Sequence, residues 1–463
     1  MSDRKKSWVR PTLTPHLVGG LNKFGGGGAP DHITDIDGVP IDDLIERFGS
    51  PLFVLSEQRL RENVRRLISA FETRYPDVVY GWSYKTNYLG AVCQVMHQEG
   101  AWAEVVSAFE YEKARSHGVP GERILFNGPH KQREILERVV AEGARVHIDN
   151  LDEMYTLEAI AAEVGRTIPV TIRLNFDTGY TEPWSRFGFN IETGQALDAA
   201  RRIGNSPHLR LRGLHSHIGT FILDTRAYEA QVRIMCAFME TAESETGCEI
   251  DSIDIGGGFA SRNALHGTYL PPEQVVPEIE QYAQAICDTL LEATRGRTAR
   301  GKPQPTLILE TGRATVDDAG SLISSVVATK HLPDGRRSAV LDAGVNLLFT
   351  SFWYNHRVEL AQPPQGIPEE TVLYGPLCMN IDVVRASVTL PPLRVGERLV
   401  VSPVGAYNNT QWLQFIEYRP NVVMTHGGGE VSVIRQAEDL QAVTALERMP
   451  VHLRSVEAGM SEG

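Results

Sequence analysis

From Pro51 onward the chain alternates short runs rich in β-branched and aromatic residues with longer amphipathic segments. That alternation constrains the fold more than any single residue, because it is the pattern of βα units on a parallel sheet. Eight strand-like runs are read: Val78–Lys85, Trp102–Ser107, Ile124–Gly128, Arg145–Asp149, Val170–Phe176, Leu209–His217, Ile250–Gly256 and Thr306–Glu310. A helix with Leu60, Val64, Leu67, Ile68 and Phe71 at helical spacing precedes them. Helical patterns at Leu89–Gln98, Ala108–His117, Leu151–Glu163, Tyr228–Glu245 and Pro272–Ala293 lie between them. The economical closure is a (β/α)8 TIM barrel over residues 51–318, and a chain of 463 residues leaves room for a second, smaller domain.

Beyond about Thr315 the pattern changes to short, valine-rich alternating runs: Ser321–Thr329, Ser338–Leu341, Ser387–Leu390, Arg398–Ser402, Asn421–Met424 and Val431–Arg435. These predict an antiparallel β domain formed by residues 319–463 together with 31–50, so the fold class is α/β plus β. Part of Asp35–Leu55 is expected to join it, with Ile36–Pro40 as a hairpin before a short helix. Residues 1–30 end in a glycine run and read as a flexible extension. Gly25–Gly28 follow no strand and open no helix, which favours a linker over a phosphate loop.

A formal net charge of -13 argues against a nucleic-acid partner. The five cysteines are widely spaced, with no C-x-x-C pair, so neither a disulfide framework nor a zinc site is expected. Met1–Arg10 is basic and polar, and no apolar run reaches the ~20 residues of a membrane span. A cytoplasmic protein without membrane or metal is the expectation.

Barrels of this kind gather catalytic groups at the C-terminal ends of their strands. Here those ends carry Lys85, Glu104 with Ser107, Asn127, Asp149, Arg173 with Asn175, His215 with His217, Gly256–Gly258, and Glu310 with Arg313. Each alone reads equally as a cap, a turn or a surface charge. Lys85 ends a buried run, and low dielectric is expected to depress its pKa and make it an imine-forming amine. One glycine would satisfy a tight turn, whereas three in a row favour an anion approached by backbone N–H groups. Amine, phosphate cradle and acid together point to pyridoxal 5'-phosphate. Lys85 would be the Schiff-base lysine, Gly256, Gly257, Gly258 and Arg313 the phosphate contacts, and Glu310 the partner of the pyridine nitrogen. His217 would stack on the ring.

The motifs Tyr84-Lys-Thr-Asn87, His215-Ser-His-Ile-Gly-Thr220, Asp254-Ile-Gly-Gly-Gly-Phe259, Glu310-Thr-Gly-Arg313, Gly375-Pro-Leu-Cys378 with Asp382, and Gly405-Ala-Tyr407 carry a specific resemblance. The chain resembles the diaminopimelate and ornithine decarboxylase family of fold type III, alanine-racemase-like pyridoxal-phosphate enzymes, from about Ile36 to its end. The resemblance implies Tyr407 as a further phosphate contact, Thr220 in place of the usual serine, and Glu104 in place of an aspartate near the Schiff base. It also implies a homodimer with shared active sites, in which Cys378 reaches into the neighbour's site to protonate the carbanion.

Two departures bear on substrate. Met379 stands where family members place an acid for the distal amine, and Thr350 stands where an arginine often binds the far end of the substrate. Met379, Thr350, Tyr354 and Asp382 are the expected substrate-side residues, and Trp353, Trp412 and Phe415 candidates for a pocket wall. The reading is a decarboxylase of an amino acid or amino-acid conjugate, with a substrate other than diaminopimelate. Racemisation at Cα is the alternative reaction, disfavoured by Glu310 because racemase-like sites pair the pyridine nitrogen with arginine. A non-catalytic cofactor carrier is the alternative of another class, disfavoured by the full β domain and Cys378.

Overall fold

The computed structural model describes residues 32–453. The expected N-terminal extension, with Gly25–Gly28, lies outside the described residues. All eight expected runs are strands: Val78–Ser83, Trp102–Val105, Ile124–Phe126, Arg145–Ile148, Ile168–Asn175, Leu209–His215, Ser252–Asp254 and Thr306–Leu309. Each pairs in parallel with the next, and the eighth pairs with the first through Leu307–Val78 and Leu309–Tyr80. The barrel is closed, so it has no exposed edge of unpaired backbone.

Local chemistry sets where its helices begin. The side chains of Ser56, Ser107 and Asn150 accept from the backbone N–H groups of Arg59, Glu110 and Glu153, satisfying amides that have no partner inside the helix. The helix expected over Pro272–Ala293 is instead two, Pro272–Val275 and Ile279–Ala299. Pro277 forces Val276 out of the helical region, and Glu278 then opens the second helix with a reciprocal capping box.

The second domain differs from expectation in two ways. Leu52–Ser56, placed in the barrel by the boundary at residue 51, is a strand of the second sheet, antiparallel to Gly320–His331 and parallel to Val422–Gly427. All five of its residues are buried, and a short apolar run does not reveal which sheet it joins. The sheet is therefore mixed rather than antiparallel, with a second parallel pair between Arg337–Leu341 and Glu369–Tyr374. The hairpin at Asp35–Ile36 and Val39–Pro40, and the helix Ile41–Phe48 after it, form as expected.

One continuous apolar core joins barrel and sheet, including Trp82, Phe126 and Ile172 on one side and Phe53, Leu322 and Val401 on the other. The junction fixes the barrel mouth. Tyr407 donates its backbone N–H to Thr86 O at 2.8 Å, and Asn87 donates its amide to Gly405 O at 3.0 Å. Those bonds turn the chain after Ser83, so that Lys85 sits in a short 3-10 turn just past its strand. Among the described residues no helix is long and apolar enough to cross a membrane.

Candidate active site

A cavity opens at the C-terminal end of the barrel. Of the cofactor residues expected from sequence, Lys85, His217, Thr220, Gly257, Gly258, Glu310, Arg313 and Tyr407 line it, together with Ser83. Five separate stretches of sequence meet there.

One end is built for an anion. Gly258 has φ +94°, and a Cβ there would stand 2.5 Å from Gly219 O; at Gly257 a Cβ would stand 2.6 Å from Glu310 O. No side chain can replace either glycine, so their backbone stays open to a ligand. Gly256 differs from its neighbours: its N–H donates to Asp254 Oδ1 at 2.9 Å and its carbonyl accepts from Glu310 N at 2.8 Å. It shapes the turn rather than facing the anion. Arg313 donates through Nη2 to Thr220 Oγ1 at 3.2 Å, while its Nη1 is buried without a hydrogen-bond partner. The guanidinium packs against the rings of Tyr407, Tyr354 and Phe221 at 4.6, 5.3 and 5.7 Å. A half-buried cation with an unused donor beside open glycine backbone fits a phosphate.

At the amine end Lys85 Nζ donates to Glu104 Oε2 at 2.7 Å, and Ser83 Oγ donates to the same oxygen at 2.5 Å. The sequence expectation of a depressed lysine pKa does not hold. Burial does lower it, but the carboxylates of Glu104 and Glu310 outweigh burial and raise it above the ordinary lysine value. The partner that reverses the sign lies on a neighbouring strand, Trp102–Val105, so the lysine's own segment does not disclose it.

The acid end is a buried cluster. Glu310 Oε1 accepts from Asn127 Nδ2 at 2.5 Å, and His215 Nε2 lies 3.3 Å from Glu310 Oε2. His147 Nδ1 stands 3.8 Å from Asp254 Oδ2 and 4.0 Å from Glu310 Oε1. Burial, with His215 nearby, holds His147 well below the usual imidazole range, and burial with Arg173 does the same to His215. Burial and the Glu310 charge push Asp254 well above the usual carboxylate range. His217 falls to about 3, mainly through burial and then through Lys85, so a neutral ring faces the cavity. Trp184 meets that ring edge-on at 5.2 Å.

His147, His215, Asp254 and Glu310 bring ligand atoms within 4.8 Å of one another. A tetrahedral ion would need them about 3.4 Å apart. The His215–Glu310 separation of 3.3 Å meets that, whereas His147 stands 3.8 Å from Asp254 and 4.0 Å from Glu310, and the group reads as a hydrogen-bonding cluster. His147, Asp254 and the bridging place of Asn127 carried no assigned role in the sequence reading. Their signal was position, at or beside the end of a barrel strand.

The expected substrate-side residues do not line this cavity. Cys378 is exposed and Met379 partly so, on the segment 375–382. Asp382 is buried, and its two oxygens accept from the backbone N–H groups of Val345 at 2.7 Å and Leu377 at 2.8 Å. Thr350 is buried, its Oγ1 bonded to Asn408 Oδ1 at 2.9 Å and 2.8 Å from His356 Nε2. Tyr354 is buried against Arg313 and Phe221. Trp412 packs on Phe53 at 5.6 Å, while Trp353 and Phe415 are exposed.

Residues 61–317, more than half of the chain, match the family model described as pyridoxal-dependent decarboxylase, pyridoxal binding domain. The diaminopimelate decarboxylase of Methanocaldococcus jannaschii is 29% identical over 436 residues, covering 90% of this chain and 95% of that protein. That of Bacillus subtilis is 27% identical over 429 residues, covering 89% and 94%. The crystal structure of the M. jannaschii enzyme superimposes with a TM-score of 0.82 at 27% identity, over 90% of this chain and 96% of that one. With a lysine, an anion cradle and a buried acid around one cavity, the chain belongs to the fold type III family of pyridoxal-phosphate-dependent decarboxylases and is a pyridoxal-phosphate-dependent carboxy-lyase.

Proposed function

We propose that this enzyme decarboxylates an amino acid whose side chain ends in a neutral, acidic or conjugated group, at a site completed by a second copy of the chain. The observation that carries the substrate reading is Asp382. It is the carboxylate closest in sequence to Met379, and both its oxygens are already bound to backbone amides. A distal ammonium brought there would lose its hydration without gaining a partner, a cost of about 3–5 kcal/mol for an unpaired buried charge. Thr350 spends its hydroxyl on Asn408 and His356, so it offers a distal ammonium no free partner either.

When bound, the cofactor supplies an electron sink for the pair left at Cα as CO2 departs. Arg313, Thr220, Gly257 and Gly258 hold its phosphate, and Tyr407 keeps the Arg313 guanidinium in place. Lys85 carries the cofactor, and Glu104 orients the amine. Glu310 keeps a proton at the ring nitrogen, and neutral His217 covers one face of the ring. Cys378 is exposed and does not line its own chain's cavity, in keeping with a thiol that delivers a proton in the site of a second copy.

Diaminopimelate is the second reading, favoured by the 29% identity to a relative that bears its name; that relative was also solved with L-lysine. CO2 release across a panel of amino acids and conjugates decides between the two, with chiral analysis of unconsumed substrate to measure racemisation. Turnover should be poor on diaminopimelate, lysine and ornithine, and Met379→Glu should raise kcat/KM for a diamino acid by about tenfold. Efficient decarboxylation of diaminopimelate by the natural sequence would reject the substrate proposal.

A further inference from the structure

Asn127 follows the third barrel strand and is hydrogen-bonded to two carboxylates, Glu310 in the cavity lining and Glu104, which holds Lys85. Its Nδ2 donates to Glu104 Oε1 at 3.1 Å and to Glu310 Oε1 at 2.5 Å. Glu104 in turn holds Lys85 at 2.7 Å, so a single amide nitrogen joins the amine end of the site to its acid end. Glu104, Asn127 and Glu310 are 0%, 3% and 5% exposed, so these charges meet in low dielectric, where like charges repel strongly.

The choice of side chain follows from donor chemistry. Ionised carboxylates only accept, and an asparagine offers two N–H donors on one atom without adding charge. Its orientation is set by those two bonds, even though Oδ1 is left buried without a partner. Aspartate would add a third acceptor, leucine would supply no donor, and serine would supply one.

We propose that Asn127 is a positioning residue for the decarboxylation: its two N–H bonds hold Glu104 against Lys85 and Glu310 against the ring nitrogen of the cofactor in a common register. The inference rests on the assignment of Lys85 and Glu310 to the two ends of the cofactor. Removing both bonds releases each carboxylate to reorient, so one substitution disturbs both ends together.

The test compares Asn127→Leu, Asn127→Ser and Asn127→Asp in the loaded enzyme. Three quantities are read: the cofactor dissociation constant, the pH dependence of the visible absorption, and kcat against KM. Asn127→Leu should weaken cofactor binding about tenfold and lower kcat with KM nearly unchanged, and Asn127→Ser should fall between it and wild type. Asn127→Asp separates positioning from packing because it is nearly isosteric. Its new carboxyl would face Glu104 and Glu310 directly, with Lys85 beyond the first and His215, His147 and Asp254 around the second. Flanked by two acids, it keeps its proton to unusually high pH and donates one bond while it does. Asn127→Asp should therefore gain an absorption transition absent from wild type and lose cofactor affinity as pH rises. An Asn127→Asp enzyme with wild-type affinity and pH profile would overturn the proposal, as would Asn127→Leu with unchanged affinity and kcat. Should Asn127→Leu fail to fold, the serine and aspartate variants decide alone. Borohydride trapping of the cofactor on a lysine other than Lys85 would overturn the site assignment, and this inference with it.

Discussion

Lys85 keeps its proton because Glu104, 2.7 Å from its Nζ, and Glu310 together outweigh burial. The neutral amine is the nucleophile, so loading of the cofactor waits on a proton that the site itself retains. The loading rate should accordingly climb about tenfold per pH unit through the neutral range, as the deprotonated fraction does below the pKa. Glu104→Gln removes the first of the charges that raise the lysine, leaving burial to lower it. That variant should load faster than wild type at pH 7, with a shallower pH dependence, in stopped-flow absorbance. Slower loading by Glu104→Gln with the wild-type slope would show that Glu104 does not set the protonation of Lys85.

Among the elements, the helices Arg226–Thr246 and Ile279–Ala299 are clamped by a buried ion pair. Arg297, almost wholly buried, donates to Glu243 Oε2 at 2.7 Å, Ile250 O at 2.6 Å and Pro303 O at 3.0 Å. Lys302 donates to the same Glu243 oxygen at 2.6 Å. Burial raises the Glu243 pKa, but the bonds from Lys302 and Arg297 outweigh it and hold the carboxyl below its ordinary 4.5. Its stabilising contribution is therefore complete above pH 4.5 and is lost as pH falls through the lower folded value. Arg297→Leu leaves two backbone carbonyls and part of a carboxylate unpaired, and should cost about 3 kcal/mol near neutral pH. Thermal unfolding should show that loss shrinking as pH falls through the lowered folded value, below which Glu243 is protonated in both variants. A loss independent of pH would assign the effect to packing of the arginine stem.

At the scale of the whole molecule, the cavity lies where barrel and sheet meet, and Cys378 is exposed outside its lining. Phe352, Trp353, Ile381, Phe415 and Ile416 are exposed on the second domain, Ile381 three residues from Cys378. An exposed apolar set of that kind suits cover by another protein surface. If a second copy covers it and receives Cys378, the inactive variants Lys85→Ala and Cys378→Ala should complement when their subunits exchange. One site in a mixed dimer would then hold both residues, giving about a quarter of wild-type activity for random pairing and independent sites. Demonstrated exchange without recovered activity would place the whole site in one chain.

The barrel was legible in the residues alone because each strand and helix declares itself through local periodicity, and all eight strands formed where the pattern put them. The cofactor end of the site was legible for a related reason: Lys85, Gly257, Gly258, Glu310 and Arg313 sit at or just past strand ends, and barrel closure gathers those ends. Membership of a sheet was legible only in part: part of Asp35–Leu55 is expected in the second domain, yet the boundary at residue 51 leaves Leu52–Ser56 in the barrel, because its sheet neighbours lie more than 260 residues away in sequence. The charge state of Lys85 was not legible, nor the bridge made by Asn127, nor the engagement of Asp382 and Thr350 by backbone and side-chain partners. Each of these depends on a contact between distant segments. Periodicity reports what a segment does by itself; protonation and hydrogen-bond satisfaction are properties of the neighbours that only the closed tertiary structure supplies.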